Sequence, residues 1–192
     1  RQLLPPAGAR LVEIGAGFGR LADLYDGYQQ VVLLDYSKSM LRQAQERWGR
    51  GGKYIYVAAD LYAMPFVDSL FDTTVTVRVL HHVQNVPAAL QEIQRVLKPG
   101  GDYVLEYANK RHLKNIARYL LGRGVNPFAP EPYEFAELHF DFHPAWVQAC
   151  LREAGLPVEA RRSVSLLRAG LLKRCLPTRW LVALDAALQR PL

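Results

Sequence analysis

Short apolar runs alternate along the chain with longer stretches in which apolar residues recur at helical spacing. The runs predict strands and the longer stretches predict helices, because side chains repeat every two residues in a strand and every 3.6 in a helix. Strands are predicted at 11–14, 31–34, 53–57, 73–80, 102–107 and 158–164, and helices at 19–25, 37–48, 87–97, 110–122 and 143–153. This order predicts an α/β fold, a doubly wound and mainly parallel sheet with helices on both faces.

A glycine-rich turn follows the first predicted strand, with Gly15, Gly17 and Gly19 at alternate positions. Glycine lets a backbone turn sharply and pass within van der Waals distance of a ligand. Asp35 ends the next strand, where a carboxylate can accept hydrogen bonds from ribose hydroxyls. The two features together predict a nucleotide-type site.

The turn differs from the usual dinucleotide pattern. G-x-G-x-x-G requires glycine at position 20, which is arginine, and Glu13 lies within the preceding strand. An acid disfavours a pyrophosphate, whereas a cofactor that carries an ammonium and a sulfonium tolerates or favours one. The pattern therefore favours S-adenosylmethionine over NAD, with S-adenosylhomocysteine as the product.

Further segments resemble motifs of the class I S-adenosylmethionine-dependent methyltransferases. VEIGAGFGR at 12–20 is similar to their first motif, and DYSKSML at 35–41, ADL at 59–61 and RVLKPGG at 95–101 are similar to later ones. Residues 71–83 resemble the fourth strand and exit loop of the type 11 branch, which includes quinone C-methyltransferases. The resemblance implies a Rossmann-like fold and methyl transfer to a nucleophile.

The resemblance also implies the cofactor contacts. Gly15, Gly17 and Gly19 would form the turn under the cofactor, Asp35 would bind the ribose hydroxyls, and Glu13 would face the methionine ammonium directly or through water. The structural alternatives are a helix N-cap for Asp35 and a buried structural acid for Glu13.

The adenine contacts involve four more residues. Asp60 would lie beside the adenine amino group with Leu61 packed nearby, and a capping role is the alternative for Asp60. Tyr36 and Met40 would cover the adenine ring, with core packing as the alternative.

Three residues near the end of the fourth strand are candidates for other roles. Arg78 is a charge in an otherwise apolar strand, so it needs Glu106 or Asp60 as a partner or contacts the cofactor carboxylate. His81 and His82 follow at the edge where open α/β sheets carry reactive residues, and either could take a proton from the acceptor. The alternative is that one histidine caps or packs under the next helix.

Composition narrows the functional classes. The 192 residues fit one domain, and no apolar run is long enough to span a bilayer, so a cytoplasmic location is expected. Cys150 and Cys175 lie in no metal-binding context, so no metal site is predicted. The net charge is +6, and residues 158–192 carry seven basic and two acidic side chains.

The expected organisation is a methyltransferase domain at 1–163 and a basic amphipathic helical tail at 164–192. An aromatic-rich insertion at about 109–142 is predicted to line the substrate pocket. The tail could contact anionic lipid, although a surface helix over the sheet edge is the favoured alternative. A seventh antiparallel strand is missing unless 165–167 supplies it, so we expect a fragment of a longer protein.

The sequence thus predicts methyl transfer to an O, N or C atom of a small lipophilic or aromatic acceptor. A catalytically silent methyltransferase-like binding or assembly subunit is the first alternative. RNA methylation is the second, and the basic residues are weak evidence for nucleic acid because no aromatic platform accompanies them. The oligomeric state is left open.

Overall fold

The computed structural model describes residues 3–162. Its main feature is a sheet of five parallel strands in the order β3-β2-β1-β4-β5. The strands are β1 (Gly8–Ile14), β2 (Tyr28–Asp35), β3 (Tyr54–Ala58), β4 (Phe71–Val77) and β5 (Leu97–Glu106). The predicted Rossmann-like α/β fold is therefore confirmed.

Four α-helices accompany the sheet: α1 (Lys38–Trp48), α2 (Val86–Val96), α3 (Leu113–Leu120) and α4 (Pro144–Glu153). Each begins at a residue whose side chain accepts a hydrogen bond from a backbone N–H of the first turn, namely Ser37, Asn85, His112 and His143. Such caps satisfy backbone donors that the helix itself leaves unpaired. All four helices were predicted from the sequence.

The apolar core lies on both faces of the sheet. Val12 and Ile14 pack on the face covered by α2 and α4, and Leu11 and Leu33 pack on the face of α1. Full burial of one such side chain contributes about 1.5–3 kcal/mol. The alternation of these residues along β1 explains why a short apolar run forms a strand covered on both faces.

The predicted helix at 19–25 is wrong. Only a 3-10 turn, Ala22–Leu24, lies between β1 and β2. Gly17 and Gly19 have φ of 56° and 70°, which no right-handed helix can include. The segment between Gly19 and Tyr28 is too short for a regular helix.

Two predicted strands also differ from the structure. β4 ends at Val77 rather than at residue 80, because Arg78 has a φ of 61° and turns the chain into a 3-10 turn, Leu80–His82. No strand forms at 158–162, since no segment within 3–162 pairs with the outer edge of β5. Residues 163 and 164, and the predictions for the tail, for 165–167 and for Cys175, lie outside the described residues.

A small hairpin was not predicted. β6 (Tyr133–Ala136) and β7 (His139–Asp141) form an antiparallel pair, and Leu138 in the turn between them has a φ of 52°. β7 packs against the 3-10 turn that follows β4. Within 3–162 no helix is both long and apolar enough to cross a bilayer.

Candidate functional site

The site lies where the strand order reverses at the centre of the sheet. β1 and β4 are neighbours, and the connections that leave them run over opposite faces, so a crevice opens outside their carboxyl ends. The two loops meet there: a Cβ on Gly15 would lie 2.3 Å from Val79 Cγ2. Gly15 therefore allows the loop after β1 to pack against the loop after β4.

Gly17 has a different role. Its φ is 56°, and the nearest atom to a Cβ built there is Met40 Cε at 3.4 Å. Within the described residues only the flexible end of Met40 lies against this side of Gly17, so a ligand can approach the backbone closely there.

Asp35 holds the glycine turn from below. Its Oδ2 accepts from the Gly17 N–H at 2.8 Å and its Oδ1 accepts from the Ser37 N–H at 2.8 Å. The carboxylate is buried, yet each oxygen keeps a further lone pair. Asp35 thus joins the turn after β1 to the start of α1 and can still accept hydrogen bonds from a ribose.

Trp48 supports the same turn, although sequence reasoning missed it. The indole Nε1 donates to the Gly19 carbonyl at 2.8 Å, and a Cβ on Gly19 would lie 2.8 Å from that nitrogen. Glycine is thus required here for packing as well as for its φ of 70°. The tryptophan at the last position of α1 was the available signal.

Glu13 is buried beneath the turn. Its side chain is 4 % exposed, and Oε2 has no hydrogen-bond partner within the described residues. Burial raises the pKa of Glu13 to about 8. A buried carboxyl oxygen without a partner is suited to bind a cationic group that belongs to a ligand.

Tyr36 and Met40 flank the outer side of the turn. Tyr36 is 86 % exposed, which excludes the core-packing alternative for it. Met40 is half-buried, with its methyl group close to Gly17. Both side chains are therefore available to a planar ring placed over the turn.

Asp60 and Leu61 follow β3. Asp60 is exposed, and its Oδ1 accepts from the Tyr62 N–H at 2.9 Å, which is a local turn of the kind expected for a capping role. Leu61 packs against the core on the α2 side. This turn involves only Oδ1 of Asp60, and the second carboxylate oxygen, Oδ2, takes no part in it.

The expected pairing of Arg78 is wrong. The residue lies beyond the end of β4, it is exposed, and within the described residues it forms no ion pair with Glu106 or Asp60. A charge outside the strand needs no buried partner, because water solvates it. Within residues 3–162 the buried Oε2 of Glu106 has no hydrogen-bond partner.

Three histidines form a cluster at the carboxyl end of β4. The ring centroids of His81 and His82 are 4.0 Å apart, and those of His82 and His139 are 4.5 Å apart. Burial, together with the charges of its neighbours, lowers the pKa of His81 to about 4. His81 is therefore neutral at pH 7.

The hairpin sets the tautomer of His82. Nδ1 of His82 lies 3.2 Å from the Leu138 carbonyl oxygen, which can only accept, so Nδ1 carries the proton. With Nδ1 held in this way, Nε2 is the ring nitrogen left to exchange a proton with an acceptor. The other two histidines, His112 and His143, cap helices through Nδ1 and are structural.

Sequence reasoning missed His139 and the hairpin that carries it. The signal was the alternation of aromatic and polar residues over 133–142, which has the period of a strand. The prolines just before this segment led instead to the expectation of an irregular loop. Within 3–162 no group of three or more histidine, cysteine or acidic side chains is arranged to hold a metal ion.

Comparison with known proteins identifies the family of the central segment. Residues 12–105 match the model of a methyltransferase domain family. This range begins in β1 and ends in β5, so it contains the glycine turn, Asp35 and the loop that carries His81 and His82.

Two curated relatives illustrate the similarity. The chain is 31 % identical over 133 residues to a malonyl-[acyl-carrier protein] O-methyltransferase of Erwinia pyrifoliae, covering 67 % of this chain and 50 % of that protein. It is 35 % identical over 113 residues to a ubiquinone/menaquinone biosynthesis C-methyltransferase of Shewanella frigidimarina, covering 55 % and 45 %. The chain thus spans half or less of the length of these relatives.

The fold is also found in solved structures. An S-adenosylmethionine-dependent methyltransferase from Mesorhizobium loti matches with a TM-score of 0.63 and 22 % identity, covering 85 % of this chain and 80 % of that one. At this identity the match shows the fold alone. Residues 12–105 of the chain form a methyltransferase domain of the class I S-adenosylmethionine-dependent family, type 11 branch, and the curated relatives are similar to it over this segment.

Proposed function

We propose that this protein transfers a methyl group from S-adenosylmethionine to a small lipophilic or aromatic acceptor. The observation that carries the proposal is the Gly17–Asp35 contact, which presents a bare backbone and a carboxylate side by side at the switch point of the sheet. S-adenosylmethionine supplies a methyl group already activated by a positive sulfur, so the protein has mainly to position the reactants and exclude water.

The donor side of the site would use the residues around the glycine turn. Asp35 would hold the ribose hydroxyls, and Glu13 would face the methionine ammonium, which explains the partnerless Oε2. The remaining cofactor contacts proposed are Gly15, Gly19, Tyr36, Met40, Asp60, Leu61 and Arg78.

The acceptor side would use the histidine cluster. His82 is the stronger candidate for the base, because its Nε2 is the ring nitrogen left to exchange a proton while Nδ1 is held by Leu138. A neutral imidazole there can take a proton from a hydroxyl or an acidic carbon as the methyl group is transferred. His81, which is neutral at pH 7, would assist or position the acceptor.

The insertion at 109–142 would line the acceptor pocket. Its hairpin packs on the turn after β4, and the ring of Phe135 contacts that of His139 at 5.8 Å between centroids. Aromatic walls beside a neutral base suit a planar or lipophilic acceptor. In this organisation 1–163 is the catalytic domain and the basic tail at 164–192 could bring it near lipid.

Calorimetry with S-adenosylmethionine and S-adenosylhomocysteine tests the donor site. We expect the parent to bind both and Asp35→Ala to lose roughly 100-fold in affinity, because two charge-assisted hydrogen bonds to a ribose contribute about 3 kcal/mol. Asp23→Ala is the matched control, since it removes an exposed acid from the adjacent 3-10 turn. Unchanged affinity in Asp35→Ala would contradict the site.

A methyl-transfer screen over hydroxylated and quinone-type aromatics tests the acceptor side. We expect His82→Ala to lower the rate without changing cofactor affinity. Cofactor binding without turnover on any acceptor would support the silent-subunit alternative. Turnover on RNA, with binding that weakens steeply as salt rises, would support RNA methylation.

A further inference from the structure

The segment after β5 exposes apolar side chains that a folded domain usually buries. Leu120 and Leu121, at the end of α3, are each 75 % exposed. Val125 and Phe128 in the following loop are also exposed. Exposed apolar side chains concentrated in one segment indicate an interaction site rather than a packing surface.

The charge of the same segment has a single sign. Residues 108–130 contain five basic side chains and no acidic one. Four of them are exposed, and none forms an ion pair within the described residues: Arg111, Lys114, Arg118 and Arg123. The segment therefore combines exposed apolar side chains with exposed cations that form no ion pair within residues 3–162.

The segment is held in shape from beneath. Lys110 is only 4 % exposed, and its Nζ donates to the carbonyls of Ala129 and Glu131 at 3.1 and 2.9 Å. The guanidinium of Arg111 lies 5.7 Å from the centroid of the Phe128 ring, which stacks it on the loop. The apolar side chains are thus presented by a fixed backbone.

We propose that Arg118, Leu120, Leu121, Arg123, Val125 and Phe128 form a docking surface for an anionic lipid bilayer. Apolar side chains enter the acyl boundary while arginines remain at the headgroups, which is how amphipathic segments bind membrane surfaces. The positive charge of the surface favours an anionic partner. Residues 158–192 of this chain are themselves basic, so electrostatic repulsion disfavours their binding to this surface. The same repulsion disfavours a second copy of the surface. The surface goes beyond the proposed methyl transfer, since vesicle binding requires no turnover.

The test is co-sedimentation of the full chain with vesicles of phosphatidylcholine alone or mixed with phosphatidylglycerol. We expect binding to the anionic vesicles, lowered more than tenfold in Leu120→Ser/Leu121→Ser by loss of apolar burial. Arg118→Ser/Arg123→Ser should lose about fivefold per charge on anionic vesicles and little on neutral ones. Val67→Ser is the matched control, because Val67 is 69 % exposed away from this surface.

The tail at 164–192 is present in every variant, so the differences between variants report on the docking surface alone. Equal vesicle binding by the leucine variant and the parent would overturn the proposal, as would a parent that binds no anionic vesicle. Self-association or RNA binding that the leucine variant abolishes would also overturn it. Calorimetry with S-adenosylmethionine separates the two proposals, because the docking variants should bind the cofactor as the parent does.

Discussion

Gly15→Ala and Gly17→Ala should have different consequences although the two glycines are only two residues apart. Both have positive φ, of 71° and 56°, so an alanine at either position costs about 1–2 kcal/mol in left-handed backbone. The new Cβ at Gly15 would also overlap Val79 Cγ2, which lies 2.3 Å away. Overpacking of this kind adds about 1–3 kcal/mol, so Gly15→Ala should lose about 2–5 kcal/mol of stability.

At Gly17 the nearest atom is the flexible end of Met40 at 3.4 Å, so the stability loss should stay at about 1–2 kcal/mol. Under the proposed function, the added methyl group would instead lie against the cofactor. We expect cofactor affinity to fall by roughly 10- to 100-fold, since a methyl group forced into a filled contact costs about 1–3 kcal/mol.

A double-mutant cycle measures the difference. Urea unfolding of Gly15→Ala, Val79→Ala and the double variant should give a coupling energy of about 1–3 kcal/mol, because removing Cγ2 relieves the overlap and leaves only the backbone cost. The same cycle with Gly17→Ala should give no coupling. A Gly15–Val79 coupling below about 0.5 kcal/mol, or unchanged affinity in Gly17→Ala, would refute the division of roles.

Two further predictions concern pH. Burial raises the pKa of Glu13 from 4.5 to about 8. The contribution of Glu13 to the free energy of unfolding is therefore full below pH 4.5 and is lost as pH rises through 8. The free energy of unfolding of Glu13→Gln should not show this decline. The pKa of His81 is lowered by burial from 6.5 to about 4, so stability falls as pH falls through this window, and His81→Gln should lessen the fall. Urea titrations from pH 4 to 9 check both, and profiles identical to that of the parent would contradict the burial argument.

The backbone of the proposed donor half of the site could be predicted from the sequence because its signals are local. Gly15 and Gly17 predict left-handed backbone, and Asp35 ends a strand whose register with β1 follows from the apolar runs. The helix at 19–25 was wrong for the same local reason, since the glycines that make the turn also interrupt the helix. Trp48 could not be placed, because its contact with Gly19 joins residues 29 apart.

The acceptor half depends on contacts that no local pattern encodes. His82 lies in the exit loop of β4, and the carbonyl that fixes its tautomer belongs to Leu138, 56 residues later. The orientation of that carbonyl depends on a left-handed backbone at Leu138, where φ is 52°. Leucine rarely adopts this conformation, so the sequence does not predict it. The catalytic role of His81 and His82 stays a prediction, and the contact that orients the His82 ring could be known only from the fold.

These two halves differ in what holds them together, and this bears on how the site would work. The donor half lies between neighbouring strands of a buried sheet, whereas the acceptor half joins the exit loop of β4 to a two-stranded hairpin through His82–Leu138 and the contacts of His81 and His82 with His139. Isolated hairpins are marginally stable, so the hairpin is the part that can open at least cost. Opening it breaks the bond that keeps Nε2 of His82 free. Under the proposed function, closure over the acceptor and preparation of the base are then one event.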